Sequence, residues 1–174
     1  MPQLEYSIKA IPTTYAGVNF RSRLEARWAA FFDLCGWKWD YEPFDLEGWA
    51  PDFRIRTKVG PVLCEVKPAD LVTFIDRQAS SNNAELWPFE EYNKAARYMH
   101  TYAVCLLGDS PLSNGFPIGV IGGTPHGLEF DDLYEALLPK GGDAHWREAG
   151  NRVQWKPDND DYYNRVRRIF RRAA

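Results

Sequence analysis

Two acidic residues and a lysine occur at a spacing that can bring them together. Asp52 follows Pro51 at the start of one strand-like segment, and Glu65-Val66-Lys67 ends the next, with twelve residues between Asp52 and Glu65. A gap of this length fits a short hairpin. Because side chains alternate along a strand, Glu65 and Lys67 project from one face of the sheet while Val66 points to the other. The pattern predicts that two carboxylates and an ammonium group converge at one point of the sheet.

These residue types suit metal-dependent hydrolysis of a phosphodiester bond. Mg²⁺ binds proteins through a few carboxylate oxygens and keeps waters and substrate phosphate as its other ligands, so Asp52 and Glu65 form a candidate metal site. Lys67 is placed to orient an attacking water or to stabilise negative charge that develops at phosphorus. Glu25 is a candidate fourth member, because it lies at the edge of the apolar stripe of the preceding predicted helix.

Each of these residues also has a structural interpretation that the sequence leaves open. Ser22-x-x-Glu25 matches a capping box, in which Glu25 satisfies a backbone N–H at the start of a helix. Asp52 can be a turn residue, and Glu65 with Lys67 can form an ordinary cross-strand charge pair. The functional interpretation therefore depends on the ordered set, since a Glu-x-Lys match alone is common.

The periodicity of apolar residues predicts the elements that would hold these residues. Their order is helix, three strands, helix, strand, which predicts an α/β fold with a mixed sheet of about four to five strands flanked by helices. The predicted helices cover 22–35 and 89–100, the predicted strands cover 37–42, 52–57, 62–67 and 102–107, and a turn is predicted over 58–61.

Signals are weaker in the second half of the chain. A strand over 116–121 and a short helix over 131–138 are predicted, whereas 76–84 is an indistinct polar stretch and 141–158 has a mostly irregular pattern. A clear amphipathic pattern returns at the end, where an Arg-rich helix is predicted over 160–173.

Length and composition fit one compact domain. The chain has 174 residues, of which 45% are hydrophobic and 26% charged, and we expect one domain over 1–174. Its core is expected over 15–108 and a C-terminal extension over 109–174. No apolar run approaches the roughly 20 residues of a membrane span, and the N-terminus lacks the apolar core of a secretory signal. A cytoplasmic protein without a membrane partner is therefore expected.

Several cofactor classes find no support in the sequence. Cys35, Cys64 and Cys105 are far apart and odd in number, which argues against a zinc knuckle and against a disulfide framework. The histidines share no ligand-like spacing. No glycine-rich loop is followed by a phosphate-binding lysine, so no nucleotide cofactor is expected.

The net charge of −3 gives by itself no reason to propose a nucleic-acid partner, because phosphate binding relies on clustered Lys and Arg. Arginine is nevertheless concentrated in two places. Arg21 and Arg23 flank the candidate site, and the predicted terminal helix presents a basic face that includes Arg165, Arg168 and Arg172. The alternatives are that Arg21 and Arg23 are simply exposed, and that the terminal helix has a solvated face balanced by the aspartates before it.

Aromatic residues make up 15% of the chain and include seven tryptophans. Two of them are candidates for stacking on nucleic-acid bases. They are Trp49, shortly before Asp52, and Trp87, after the last strand of the candidate site. Packing in the core or at its rim is the alternative for both.

The ordered set of motifs resembles the PD-(D/E)XK, or restriction-endonuclease-like, nuclease superfamily. It is similar in particular to phage junction-resolving endonucleases and to the endonuclease subunits of some transposition systems. The resemblance covers roughly residues 15–108 and rests on the combination of motifs. The segments that carry it are Phe20-Arg21-Ser22-Arg23-Leu24-Glu25, Tyr41-Glu42-Pro43, Pro51-Asp52-Phe53 and Glu65-Val66-Lys67-Pro68.

The resemblance implies a metal-dependent DNA endonuclease encoded by a phage or a mobile element. It implies that Asp52, Glu65 and the Val66 carbonyl bind Mg²⁺, for which Mn²⁺ can substitute, and that Lys67 is the catalytic lysine. Glu25 is implied to be an additional metal ligand or a residue that orients the others. Duplex or branched DNA is the expected partner, and a homodimer is a candidate assembly. The alternative is a non-catalytic protein on the same fold, an accessory subunit or inhibitor that binds nucleic acid or a protein. The acidic charge balance favours that alternative, and the complete carboxylate and lysine set favours the enzyme.

Overall fold

The computed structural model describes residues 10–81, 87–113, 115–122, 125 and 127–154. Its centre is a five-stranded mixed sheet flanked by helices. This confirms the α/β fold that the order of apolar patterns predicted. None of the helices in these ranges combines the length and the apolar character that crossing a membrane requires.

Twelve helices and strands occupy the described residues, and a small hairpin precedes the first helix. They are β1 (Thr13–Tyr15), β2 (Val18–Phe20), α1 (Arg23–Leu34), β3 (Lys38–Tyr41), β4 (Phe53–Thr57), β5 (Gly60–Val66), α2 (Leu71–Ser80), α3 (Glu90–Ala96), β6 (Ala103–Leu107), β7 (Val120–Gly122), α4 (Phe130–Ala136) and α5 (Gly142–Arg152).

The central sheet has the strand order β3-β4-β5-β6-β7. Neighbouring strands are antiparallel except for β5 and β6, which run parallel. A parallel pair needs a crossover rather than a tight turn, and α2 and α3 lie between these two strands in the chain. The β4–β5 hairpin pairs Phe53 with Cys64, so the residue before Phe53 and the residue after Cys64 are neighbours across the two strands.

Helix α1 covers one face of this sheet with aromatic and small apolar side chains. Phe53 and Ile55 of β4 are fully buried there, and the Phe53 ring lies 5.3 Å from that of Phe32 in α1. The far side of α1 carries α5, where the rings of Trp28 and Trp146 are 4.6 Å apart. The apolar core around α1 therefore has three layers, which are the sheet, α1 and α5.

Helices α2 and α3 contribute to a second apolar cluster on the opposite face. It contains Leu63 of β5 and Leu106 of β6, together with Leu71 of α2 and Tyr92 of α3. These residues cover the middle of the sheet. The same face of β3 and β4 is lined instead by charged side chains, which leaves half of the sheet face polar.

The predicted elements of the first 108 residues are present with small shifts at their ends. The turn expected over 58–61 is shorter, because β5 already begins at Gly60 and Pro61 pairs with Arg56 of β4. The strand expected over 116–121 forms only at Val120–Gly122. The short helix expected over 131–138 is α4.

Two stretches without a predicted element are helical. Most of 141–158 was expected to be irregular, which is wrong, because α5 occupies Gly142–Arg152. The polar stretch over 76–84 holds the end of α2, whose side chains are mostly exposed after Leu71. Both helices bury few large apolar side chains, so neither carries the long apolar stripe from which α1 was predicted, although α2 is amphipathic. The Arg-rich helix predicted over 160–173 lies outside the described residues.

Candidate active site

The β4–β5 hairpin brings Asp52, Glu65 and Lys67 together, as their spacing predicted. The backbone N–H of Val66 donates to Asp52 Oδ2 at 2.8 Å. The Lys67 ammonium lies 2.7 Å from Glu65 Oε1 and 4.0 Å from Asp52 Oδ2. Asp52 and Glu65 are each only 2% exposed. Two carboxylates are thus buried side by side with one lysine at the end of the two strands.

This geometry bears on the structural alternatives for these residues. Asp52 is more than a turn residue, because its carboxylate joins the ends of β4 and β5 through the Val66 N–H. Glu65 and Lys67 do pair, but they belong to one strand end and share their environment with a second buried carboxylate. An ordinary charge pair on a strand is exposed and costs little to form. Burial of two carboxylates carries a desolvation penalty that folding alone gives no reason to bear.

Glu25 reaches the same place from α1. Ser22 is the N-cap of α1, and its hydroxyl oxygen accepts a bond from the Glu25 N–H at 3.1 Å, which is one half of the predicted capping box. The Glu25 carboxylate is only 8% exposed and accepts bonds from the Ser22 hydroxyl and from the hydroxyl of Tyr41. Glu25 therefore caps the start of the helix and also lies near Asp52 and Glu65. We call Asp52, Glu65 and Glu25 the acidic cluster.

Arg21 joins these carboxylates by its guanidinium. It lies 2.7 Å from Asp52, 4.0 Å from Glu25 and 3.1 Å from Glu42, while its side chain stays 62% exposed. Glu42 has a left-handed backbone with φ +45°, a conformation that is costly for a residue without glycine's freedom and that lies next to Pro43. Strained backbone of this kind is found preferentially at functional sites.

The second predicted arginine of this segment is arranged differently. Arg23 is exposed in the first turn of α1, and within the described residues it forms no ion pair with the acidic cluster. The terminal arginines Arg165, Arg168 and Arg172 lie outside the described residues. Of the five arginines named from the sequence, Arg21 is the one that the structure joins to the site.

Trp49 is hydrogen-bonded to the Glu65 carboxylate. Its indole Nε1–H donates to Glu65 Oε2 at 2.6 Å, and the ring is buried and lies 5.6 Å from that of Tyr98. The packing interpretation of Trp49 is therefore correct, and base stacking would require it to leave the core. Trp87 also packs against a neighbour, with its ring 4.8 Å from that of Phe74.

The electrostatics of the cluster favour an additional positive charge. Burial, and next to it the charge of Glu65, raise the pKa of Asp52 to about 7, although Lys67 and the Val66 N–H oppose this shift. Burial lowers the pKa of Lys67, but Asp52 and Glu65 outweigh it, so the pKa is raised and the lysine stays charged. Four carboxylates, those of Asp52, Glu65, Glu25 and Glu42, share two cations, Lys67 and Arg21. The cluster therefore has excess negative charge, as a divalent-cation site needs.

The donor set fits a hard cation in its chemistry. Asp52, Glu65 and Glu25 offer carboxylate oxygens, and the Val66 carbonyl directly follows Glu65 in the chain. In the described part of the chain, no three His, Cys, Asp or Glu side chains already form a preformed metal cage. Arg21 and Lys67 contact the oxygens that a metal would use. A cation would bind only after these contacts loosen, and the exposed Arg21 is the group with room to move.

Tyr41 and Glu42 escaped prediction as functional residues, and Trp49 was predicted only as a candidate for stacking on bases. Tyr41 supports Glu25, Trp49 supports Glu65, and Glu42 holds Arg21. Each acts through another side chain, so its own type and spacing give no chemical signal. The only sequence signal was indirect, since Tyr41-Glu42-Pro43 was among the segments that carried the family resemblance.

Comparisons of the chain with protein-family models, with curated proteins and with solved structures found no match.

Proposed function

We propose that this protein is a metal-dependent endonuclease that hydrolyses phosphodiester bonds in DNA and that it belongs to the PD-(D/E)XK superfamily. The observation that carries the proposal is the burial of Asp52 and Glu65 beside Lys67 at the end of a hairpin, with Glu25 added from α1. A carboxylate pair with one lysine in a nearly dry site is expensive to fold and suited to phosphoryl chemistry.

Asp52, Glu65, Glu25 and the Val66 carbonyl are the groups that would hold Mg²⁺, with Mn²⁺ as a substitute. When bound, the metal supplies a Lewis acid and lowers the pKa of its water. The grouping of these carboxylates around only two cations supports this assignment. In the metal-free chain the positive charges of Arg21 and Lys67 partly offset the same carboxylates.

Lys67 is the proposed catalytic lysine. Its ammonium is held by Glu65 at 2.7 Å and stays charged because the two carboxylates raise its pKa. A fixed ammonium at this place can hydrogen-bond an attacking water and stabilise negative charge as it develops on the phosphoryl oxygens. Arg21 is the proposed phosphate-binding residue, because its guanidinium is more than half exposed while one edge touches Asp52.

Cleavage of a small DNA panel tests this function. Duplex, single-stranded, flapped and four-way branched DNA are incubated with Mg²⁺ or Mn²⁺ and with wild-type, Lys67→Ala or Lys58→Ala protein. Wild type is expected to cut at least one DNA, and Lys67→Ala to lose at least about 100-fold in rate, since one electrostatic donor to a developing charge contributes about that much. Lys58, an exposed lysine paired with Glu135, is the matched control and should retain full activity.

The proposal fails if the wild-type protein cuts none of these DNAs with either metal. It also fails if Lys67→Ala cuts as fast as wild type while EDTA has no effect. Circular dichroism and thermal melting of each variant show whether a loss of cleavage reflects loss of the fold.

One observation favours the second candidate, a non-catalytic binding protein. Every buried polar side-chain atom among the described residues already has a hydrogen-bond partner, so the acidic cluster is satisfied within the chain. Thermal melting with Mg²⁺ separates the two functions, because a ligand that binds only the folded state raises the melting temperature. An increase that is lost in Asp52→Asn supports the enzyme, and no increase at millimolar Mg²⁺ supports the binding protein.

A further inference from the structure

A charged surface continues from the acidic cluster along β4 and β3. It lies on the sheet face that α2 and α3 cover over β5 and β6. Side chains two residues apart on a strand share a face, so Arg54 and Arg56 of β4 lie in line with Asp52. In the pairing of β3 with β4, Asp40 is opposite Arg54 and Lys38 is opposite Arg56. We call these four residues, Lys38, Asp40, Arg54 and Arg56, the basic track.

The helices on this face stop short of the basic track, and its one aromatic contact is the Phe44 ring, which lies 5.9 Å from the Arg54 guanidinium. Leu63 of β5, the partner of Arg54, is buried under α2 and α3, whereas Arg56 is exposed and the Arg54 side chain is about one third exposed. A cavity of about 360 Å³ lies at its end, lined by Arg54, Arg56, Thr57, Gly60 and Pro61. An elongated ligand can therefore lie along β4 without displacing a helix.

Three cations and one carboxylate give the basic track a net positive charge. Asp40 holds Arg54 through two hydrogen bonds at 2.9 and 2.7 Å, and Arg56 through a longer one at 3.4 Å. Asp40 thus fixes the direction of the Arg54 guanidinium, holds Arg56 only loosely, and leaves most N–H donors of both groups free. Lys38 is exposed and forms no ion pair within the described residues. Fixed guanidinium forks bind phosphate oxygens better than flexible cations because less entropy is lost.

We infer that the basic track binds the phosphate backbone of one DNA strand beside the bond that is cut. The distance from Asp52 to Arg56 is four strand residues, or about 13 Å, and this equals the rise of about four nucleotides of one strand. The inference rests on the proposed function, because it states along which strand the bound DNA extends away from the proposed active site. It adds a binding surface that is separate from Arg21 and from the terminal arginines.

Binding at varied salt concentration tests the basic track directly. Fluorescence anisotropy of a labelled 20-base-pair duplex is measured in EDTA, where no metal-dependent cleavage runs, and again with Mg²⁺ on the Lys67→Ala background. Each phosphate contact that is lost makes the plot of log affinity against log salt shallower by about one. Arg56→Gln is expected to reduce the slope by about one, and Arg56→Gln with Lys38→Gln by about two.

Two further variants separate a phosphate contact from a structural role. Arg56→Lys keeps the charge and should restore the slope of the wild-type protein. Arg147→Gln removes the same charge from an exposed position of α5, on the opposite side of the sheet, and should leave the slope unchanged. If Arg56 only stabilises the sheet through Asp40, its variants lower the melting temperature while the slope stays at the wild-type value, and this result overturns the inference.

The outcome for the basic track is distinguishable from the outcome for the enzyme. Cleavage by wild type with an unchanged slope in Arg56→Gln overturns the basic track and leaves the nuclease standing. Duplex binding whose slope depends on Arg56 and Lys38, without cleavage of any DNA, supports the basic track and overturns the nuclease. Absence of duplex binding by wild type in EDTA and with Mg²⁺ on the Lys67→Ala background overturns the basic track.

Discussion

Along strand β4, alternate residues face two environments of opposite chemistry. Phe53 and Ile55 are fully buried beneath α1, and Phe53 is surrounded by the rings of aromatic neighbours on three other elements. On the other face, Asp52 belongs to the acidic cluster and Arg54 and Arg56 to the basic track. One strand of five residues therefore contributes to the core on one side and to the proposed function on the other.

The pleat of β4 separates the residues that stabilise the core from the residues of the proposed function. On the α1 face, every buried side chain gains from leaving water. On the other face, the buried carboxylates cost free energy that the fold recovers elsewhere, as is common at active sites. Substitutions on the α1 face should therefore change stability and those on the opposite face should change binding, and the following predictions test this division.

The largest expected effect is on stability and belongs to the α1 face. Phe53→Ala should lower the free energy of unfolding by about 3–5 kcal/mol, because it removes a buried ring and leaves a cavity among aromatic neighbours. Urea denaturation measures the change, with Arg56→Ala on the opposite face of β4 as the control that should stay within about 0.5 kcal/mol. A loss below about 1 kcal/mol for Phe53→Ala would contradict the division between the faces.

A smaller effect is expected for the residue that holds Glu65. Trp49→Phe keeps a buried ring but removes the N–H that donates to Glu65 Oε2, so the carboxylate is left less well oriented. Loss of such a supporting bond weakens metal binding by about 10- to 100-fold. Titration with Mn²⁺ followed by electron paramagnetic resonance measures the affinity.

The matched control is Trp28→Phe in α1. Its Nε1–H donates to the Gly108 carbonyl at 3.0 Å, and it too is buried, so a similar cost in stability is expected without a change in Mn²⁺ affinity. Equal effects of both variants on Mn²⁺ affinity would show that Trp49 acts only through packing.

The smallest expected effect is a gain of stability that depends on pH. The folded pKa of Asp52, about 7, lies above its ordinary value of 3.8, so the native state binds the proton more tightly. The stabilising contribution of protonated Asp52 to the free energy of unfolding is then fully present below about pH 4 and is lost as the pH rises through 7. Asp52→Asn, which stays uncharged, should raise the melting temperature at pH 8 without metal by about 2–4 °C, which corresponds to roughly 1 kcal/mol.

This gain should shrink towards pH 5, where Asp52 itself is protonated. Asp40→Asn is the control for which the opposite change in stability is expected, because the hydrogen bond from Arg54 lowers the pKa of Asp40. Its carboxylate contributes stability above its ordinary pKa, so the variant should melt no higher than wild type at pH 8. A fall in the melting temperature of Asp52→Asn at pH 8 would mean that the ion pair with Arg21 outweighs the cost of burial.

Prediction from the sequence succeeded where the residues that form an element are close together in the chain. The hairpin of β4 and β5 follows from two strand patterns and a turn, and the alternation of side chains then brings Glu65 and Lys67 beside Asp52. Prediction failed for α5, because that helix buries only Gly142, Trp146 and Ala149. Its stability comes from contact with α1, where Arg27 lies 4.0 Å above the Trp146 ring. That contact joins residues 119 positions apart, so the sequence around α5 does not show which helix covers its buried residues.

The sequence by itself determined the α/β class, the order of α1, β3, β4, β5, α3 and β6, and the convergence of Asp52, Glu65 and Lys67. Strand register and side-chain alternation are short-range properties, so local patterns record them. Only the tertiary structure decided that Arg21 bridges the carboxylates, that Trp49 holds Glu65, and that α2 and α3 leave the basic track uncovered. These contacts depend on how helices and loops pack over the sheet. Packing is fixed by the shapes and burial of residues distant in sequence, which the spacing of residue types does not encode.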